Sequence, residues 1–213
     1  MIIPVLSVVI IAYLLGSISF AVLFSKLFLK TDVRELGSGN AGTTNVMRVG
    51  GFLPGLLTFV CDASKGFLAC YLGKIVFLKA IDSDVKWAVY GAFICGIACM
   101  IGHVFPVFFG FRGGKGIAVS VGIFAVCCPK AIIIGLAVFA VCVLVTRIVS
   151  LSSIIATVTV ITLTLVFNNP NALFWPQAVI AVSMGLIVIC KHYDNIKRLV
   201  AGTEKKITLG RKK

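Results

Sequence analysis

Charge is scarce in this chain. Asp, Glu, Lys and Arg make up 13% of its 213 residues, against about 25% in soluble domains. Acidic residues are scarcer still, with 7 Asp and Glu against 20 Lys and Arg and a formal net charge of +13. The eight cysteines include no C-x-x-C pair, which argues against a zinc site or a disulfide framework. They lie within or at the ends of apolar runs and read as small core hydrophobes. No basic segment precedes the first apolar run, so that run reads as a retained helix and not a cleaved signal. Apolar bulk stands where charge is missing. Hydrophobic residues reach 60%, an excess that a soluble fold, which must still present polar surface, has no room to bury. Disorder, a collagen-like fibre and a soluble enzyme are excluded. An all-α, polytopic membrane protein is expected, one domain over residues 1–213.

A crossing helix needs roughly 20 apolar residues. Met1–Ser25, Gly51–Gly73 (interrupted by Asp62 and Lys65) and Trp87–Phe111 meet that length. The uncharged stretch Ile148–Cys190 is too long for one crossing, and the turn-forming Asn168-Asn169-Pro170-Asn171 divides it into spans at 148–167 and 174–190. Gly116–Thr146 is ambiguous: one helix kinked at Pro129, or short spans Gly116–Cys128 and Ala131–Thr146. Charge decides. Two helices give seven spans and gather Lys26, Lys30, Arg34, Arg48, Arg112, Lys115, Arg147 and the basic tail from Lys191 on one side. The other side keeps Lys74, Lys79, Lys86 and Lys130. The positive-inside rule then sets the N-terminus outside and the C-terminus inside. Basic charge placed this way reads as topology and attraction to anionic lipid, not as a nucleic-acid footprint.

Three polar constellations fall on that cytoplasmic side. Gly37-Ser38-Gly39-Asn40-Ala41-Gly42-Thr43-Thr44-Asn45, followed by Arg48, is almost free of bulky side chains. Glycines there permit backbone N–H groups to converge on an anion, the hydroxyls and amides add neutral donors, and Arg48 offers a fork suited to phosphate. A plain flexible loop would show the same glycines. His103-Val104-Phe105-Pro106 and then Phe111-Arg112-Gly113-Gly114-Lys115-Gly116 form the second. It lacks the Walker pattern, and either a phosphate contact or a tight basic turn accounts for it; His103 alone reads as readily as a buried, hydrogen-bonded residue. The third is His192-Tyr193-Asp194-Asn195-Ile196-Lys197-Arg198-Leu199. Were the last span to continue as helix, His192 and Asn195 would share a face, with the histidine able to act as base or donor near neutral pH. Arg147 with Ser150, Ser152 and Ser153 makes a lesser polar cluster. Asp62 and Lys65, three apart inside a span, are expected to pair or to take part directly.

Gly37-Ser38-Gly39-Asn40-x-Gly42-x-Thr44-Asn45, His103-x-x-Pro106 with Gly113-Gly114-Lys115-Gly116, and His192-x-x-Asn195-Ile196-x-Arg198-Leu199 resemble, in order and over nearly the whole chain, the three motifs of the bacterial acyl-phosphate:glycerol-3-phosphate acyltransferase family of the inner membrane. Ala41 departs from it, standing where many members carry Pro. The resemblance implies transfer of a fatty acyl group from acyl phosphate to the sn-1 hydroxyl of glycerol 3-phosphate, giving lysophosphatidic acid and inorganic phosphate. It implies no metal or cofactor, an active site on the cytoplasmic side, contact with membrane lipid, no nucleic acid, and a functional link to the enzyme that makes acyl phosphate. Ser38, His192 and Asn195 are then the expected catalytic residues. Gly37, Gly39, Asn40, Gly42, Thr44, Asn45 and Arg48 from the first motif and His103, Gly113, Gly114, Lys115 and Gly116 from the second would bind substrate, together with Ser150 and Ser153. The His-x₄-Asp motif of thioester-dependent acyltransferases is absent, since Phe108 and Lys197 follow the two histidines at that spacing. A transporter or exchanger of phosphorylated metabolites would also want a cationic glycine-lined site, but near the midplane on broken, repeated helices.

Overall fold

The structure, a computed structural model, describes residues 2–81, 84–168 and 174–207. All regular structure among these residues is helical. The expected turn beyond Asn168, at 169–171, and the last basic residues of the tail lie outside the described residues.

The first apolar run is not one helix. α1 (Ile2–Gly16) and α2 (Phe20–Leu29) are separated at Ser17-Ile18-Ser19, where the Ser17 hydroxyl donates to the Tyr13 carbonyl at 2.9 Å. Serine side chains compete in this way with the helical ladder. α3 (Thr43–Gly50) is short and leads through Gly51 into α4 (Phe52–Ala80), which outruns its expected end at Gly73. α5 (Val85–Val104) is followed by a tight turn at Val107–Phe109. The ambiguous region resolves into two helices, α6 (Ile117–Cys127) and α7 (Pro129–Thr146), with Pro129 in the first turn of the second, where its missing N–H costs nothing. α8 (Val149–Asn168), α9 (Phe174–Lys191) and α10 (Tyr193–Val200) complete the chain. The axis bends by 58° between α9 and α10, so the last span does not continue straight through His192.

Five helical stretches among the described residues are long and apolar enough to cross a membrane, six if the bent α9–α10 pair counts as one. α6, at 11 residues, measures about 16 Å, half a hydrocarbon core, and is sheltered by α4. A Cβ at Gly122 would strike the Ala63 carbonyl, and one at Gly66 the Val119 carbonyl, so the two backbones touch where small residues allow it. α4 and α5 meet in the same manner at Gly73 and Gly91. Cys70, Cys95, Cys99, Met100, Ile123 and Met184 fill the interior, the cysteines packing as the small hydrophobes expected of them. Large apolar side chains such as Ile3, Ile133, Leu144, Val145 and Val179 point outward, a surface stable only against lipid.

Candidate active site

The first glycine segment is knotted by one side chain. Asn45, buried at the start of α3, accepts the Ser38 N–H at 2.9 Å and donates to the carbonyls of Val33 and Leu36 at 3.1 and 2.9 Å. Its amide is therefore fully engaged within the loop. Gly37 (φ 63°) runs so close to the Asn45 carboxamide that a Cβ would collide with it. Ser38, Gly39 and Thr44 are left on the exposed side of the knot, and Gly42 forms the mouth of α3. Upstream, Asp32 pairs with Arg34 at 2.8 Å, and Arg34 Nη1 donates to the Phe109 carbonyl at 2.7 Å. That guanidinium, expected only to mark topology, ties the first segment to the second.

In the second segment Gly113 and Gly114 return their N–H groups to the carbonyls of Val104 and His103 at 3.3 and 3.2 Å. A Cβ on Gly114 would meet His103 Nε2 and lie 2.6 Å from the Ala41 carbonyl, which places this glycine directly between the two loops. Gly116 (φ 87°) opens α6. Lys115 stands between the glycines and hydrogen-bonds Asn195 Oδ1 in the third segment. The Asn195 amide donates to Glu204 at 2.6 Å, and Glu204 also receives Ser150 Oγ at 2.8 Å and Arg198 Nε at 2.6 Å. Ile207 N–H closes the tail onto the Arg147 carbonyl at 2.7 Å. The three segments, with the start of α8, thus form one continuous polar surface at the ends of the helices.

The family model for glycerol-3-phosphate acyltransferase matches residues 6–202 of this chain. The chain belongs to the glycerol-3-phosphate acyltransferase family. It is 41% identical over 198 residues to the glycerol-3-phosphate acyltransferase of Thermoanaerobacter sp. (strain X514), covering 93% of each chain, and 38% identical over 202 residues to that of Syntrophomonas wolfei, covering 95% and 96%. Its fold is similar to the crystal structure of PlsY (YgiH), an integral membrane glycerol 3-phosphate acyltransferase, in its glycerol 3-phosphate form, with TM-score 0.84, 36% identity and 96% of each chain covered.

Electrostatics across these segments are uneven. Burial lowers the Lys115 ammonium to about 8, Arg198 and Lys191 adding to the effect and Glu204 opposing it. His192 sits at the bend with Nδ1 2.8 Å from the Val188 carbonyl. A carbonyl only accepts, so Nδ1 carries the proton and Nε2 the lone pair. Burial lowers this imidazole to about 4, so it is neutral at physiological pH. Burial pushes the Glu204 carboxyl up, but hydrogen bonds from Asn195, Ser150 and Arg198 outweigh it and hold the group below its ordinary value.

Not every expected residue joins this surface in the same way. Arg48 is exposed at the last turn of α3, without an ion pair among the described residues, its guanidinium uncommitted. Asn40 is half-buried beside Gly42. Ser153 is buried one turn beyond Ser150 on α8. His103 is buried beneath the Gly113–Gly114 turn instead of standing on the surface. Glu204 was not anticipated, although it draws Asn195, Ser150 and Arg198 together. An acid standing directly before Lys205 and Lys206 in a basic tail was the signal available.

Proposed function

We propose that this chain transfers a fatty acyl group from acyl phosphate to the sn-1 hydroxyl of glycerol 3-phosphate, at the cytoplasmic face of a bacterial inner membrane, releasing lysophosphatidic acid and phosphate. The observation that carries this reading is the junction of Lys115, Asn195, Glu204 and Ser150, which draws the second and third motifs together beside the knotted first loop. Seven helical segments, N-terminus outside, fit the same reading, with α6 as a short span shielded by α4. Because the donor is already activated, the site needs only to hold the hydroxyl against the carbonyl carbon and to receive charge on the departing phosphate. Positioning of that kind is worth about 7–11 kcal/mol in favourable cases.

The Ser38 hydroxyl and those amides of Gly37–Gly42 not already bonded within the loop hold the acyl-phosphate headgroup; the N–H groups of Ser38, Gly39 and Gly42 are spent on Asn45, Leu36 and Asn40. Arg48 and Lys115 carry the phosphate charges, and His192 with Asn195 orients the glycerol. The ester C–O bond forms as the anhydride C–O bond breaks. The hydroxyl proton passes to His192 Nε2, whose tautomer suits acceptance, or to the phosphate that leaves. The acyl chain enters sideways from lipid, and the enzyme that makes acyl phosphate delivers the donor to this face. Purified protein in detergent, given acyl phosphate and glycerol 3-phosphate, is expected to release phosphate and lysophosphatidic acid in equal amounts. A transporter would do neither without a sealed compartment, and silence in this assay with an intact fold would overturn the proposal.

A further inference from the structure

Three ionisable side chains lie sealed inside the bundle. Asp62 and Lys65 on α4 and His103 at the end of α5 have 1%, 2% and 6% of their side-chain surface accessible. Lys65 Nζ stands 2.8 Å from Asp62 Oδ1 and donates to the carbonyls of Gly16 and Ile18 at 2.9 and 2.6 Å. Those carbonyls flank the break between α1 and α2. Carbonyls at a helix end lack intrahelical partners, and in the bilayer interior no water replaces them. Lys65 supplies the missing donors for both, and Asp62 balances its charge.

The cluster reaches the loops through His103. Its Nδ1 faces Asp62 Oδ1 at 3.5 Å. Its Nε2 fills the space that a Cβ on Gly114 would take, and its carbonyl accepts the Gly114 N–H at 3.2 Å. The break that Lys65 caps also anchors the second segment. Tyr13 Oη donates to the Phe105 carbonyl at 3.1 Å, and the Val107 N–H reaches Ser17 Oγ at 3.4 Å. Beyond the break, α2 carries the first glycine segment.

We propose that Asp62, Lys65 and His103 form a buried positioning relay that sets the spacing between the 37–45 and 113–116 loops, with His103 a positioning residue instead of a substrate contact. The inference rests on acyl transfer as the reaction at those loops. A pair serving insertion of α4 alone needs neither the carbonyls of another helix nor a histidine wedged under a glycine turn. The relay joins the helix break that aims one loop to the turn that forms the other. Charge at this depth is expensive, and every partner it has belongs to the framework of the two loops.

Steady-state kinetics and amide hydrogen exchange on the full chain in detergent test this, with acyl phosphate and glycerol 3-phosphate as substrates. His103→Leu removes the ring nitrogen that faces Asp62, whereas His103→Asn returns a polar group near the Nδ1 position. His103→Leu is expected to lower kcat/KM by about 100-fold, the loss a displacement of roughly 1 Å produces, and to speed exchange in 37–45 and 105–116 but not in α7 and α8. His103→Asn is expected to restore slow exchange and most of the activity. Lys65→Met should resemble His103→Leu, and where it fails to purify, the doubly neutral Asp62→Asn/Lys65→Met carries the same expectation. Wild-type exchange and turnover in His103→Leu would overturn the relay, as would His103→Asn as inactive as His103→Leu. If the unaltered protein shows no turnover, acyl transfer is what fails, and exchange alone decides the relay.

Discussion

The molecule holds charge in two places, and the two differ in what is left over. Inside the bundle, the Lys65 ammonium donates to two carbonyls and lies 2.8 Å from a carboxylate, so framework groups surround it. At the helix ends, the Lys115 ammonium bonds Asn195 alone among the described residues and keeps donors for a ligand. Asp62 pairs with Lys65 and faces His103, whereas Glu204 gathers Ser150 from α8 and Asn195 and Arg198 from α10 without reaching hydrogen-bond contact with Lys115. A saturated cation belongs to the framework; an unsaturated one beside glycine turns belongs to the chemistry. Sequence alone puts Lys65 inside a span beside Asp62 and Lys115 in a glycine loop, but it leaves open whether Lys65 only pairs or takes part directly.

The sharpest way to test that division is to remove groups on the chemical side. His192→Ala and Ser38→Ala are expected to lower kcat on the order of 100- to 10,000-fold, the usual weight of a positioned acid, base or donor; Ser38→Ala, at an exposed position, should leave the thermal midpoint in detergent close to that of the parent, whereas His192→Ala, at a buried one, should lower it. Neither side chain braces a second loop: His192 bonds only the preceding turn of its own chain and the Ser38 hydroxyl is exposed. Near-normal turnover in both would erase the distinction between framework and chemistry.

Gly114→Ala probes the seam between the two. A methyl group there runs into the His103 ring and the Ala41 carbonyl, backbone on one side and a sealed ring on the other, so the loops must part. A loss of about 100-fold in kcat/KM is expected for a shift near 1 Å, with faster exchange at both loops. An unchanged rate would mean that loop spacing is slack, and the comparison would lose its mechanical link.

Glycine-rich segments, the Lys115 turn and the His192–Asn195 pair were legible because each is local in sequence and rare in composition. The all-helical, apolar character of the chain was legible too, since composition and length dictate it. The break at Ser17-Ile18-Ser19 was not, since its cause lies partly on α4, in a lysine 49 residues from Gly16. The task of Asn45 was hidden for a similar reason: a carboxamide in a glycine loop reads as a donor to ligand until its partners Ser38, Val33 and Leu36 are seen. Pairing of Asp62 with Lys65 followed from spacing, but the approach of His103 depends on α4–α5 packing at Gly73 and Gly91, which pattern alone does not carry.

Glu204→Gln is a smaller change on the outer side. It keeps volume and one acceptor for Asn195 but removes the charge opposite Arg198. Because hydrogen bonds hold Glu204 below its ordinary value, its stabilising contribution is complete above the unfolded carboxyl pKa and is lost as pH falls through the depressed one. The parent is therefore expected to lose thermal stability on acidification more steeply than Glu204→Gln, with a difference of about 1–3 kcal/mol at neutral pH. Parallel stability–pH curves would show that the tail is held by packing and not by charge.

The smallest effect concerns Lys115 itself. Burial brings its ammonium to about 8 while Glu204 pulls the other way. The charged form predominates below that value and is lost above it, so KM for glycerol 3-phosphate is expected to stay flat up to about pH 7.5 and then rise, approaching tenfold per pH unit. Lys115→Arg, charged at every accessible pH, should remove the alkaline rise, and Lys115→Ala should show a raised KM without any rise. Removing the Glu204 charge takes away the larger of the two carboxylate influences, Glu204 and Asp194, that hold the ammonium up, so the rise should begin at lower pH in Glu204→Gln. Lys65 provides the control: as a saturated cation committed to Gly16, Ile18 and Asp62, it has no donor to offer substrate, and its replacement should leave the pH at which KM turns upward where it was. A shift of that turning point in Lys65→Met would place both lysines in one electrostatic system and dissolve the line drawn between them.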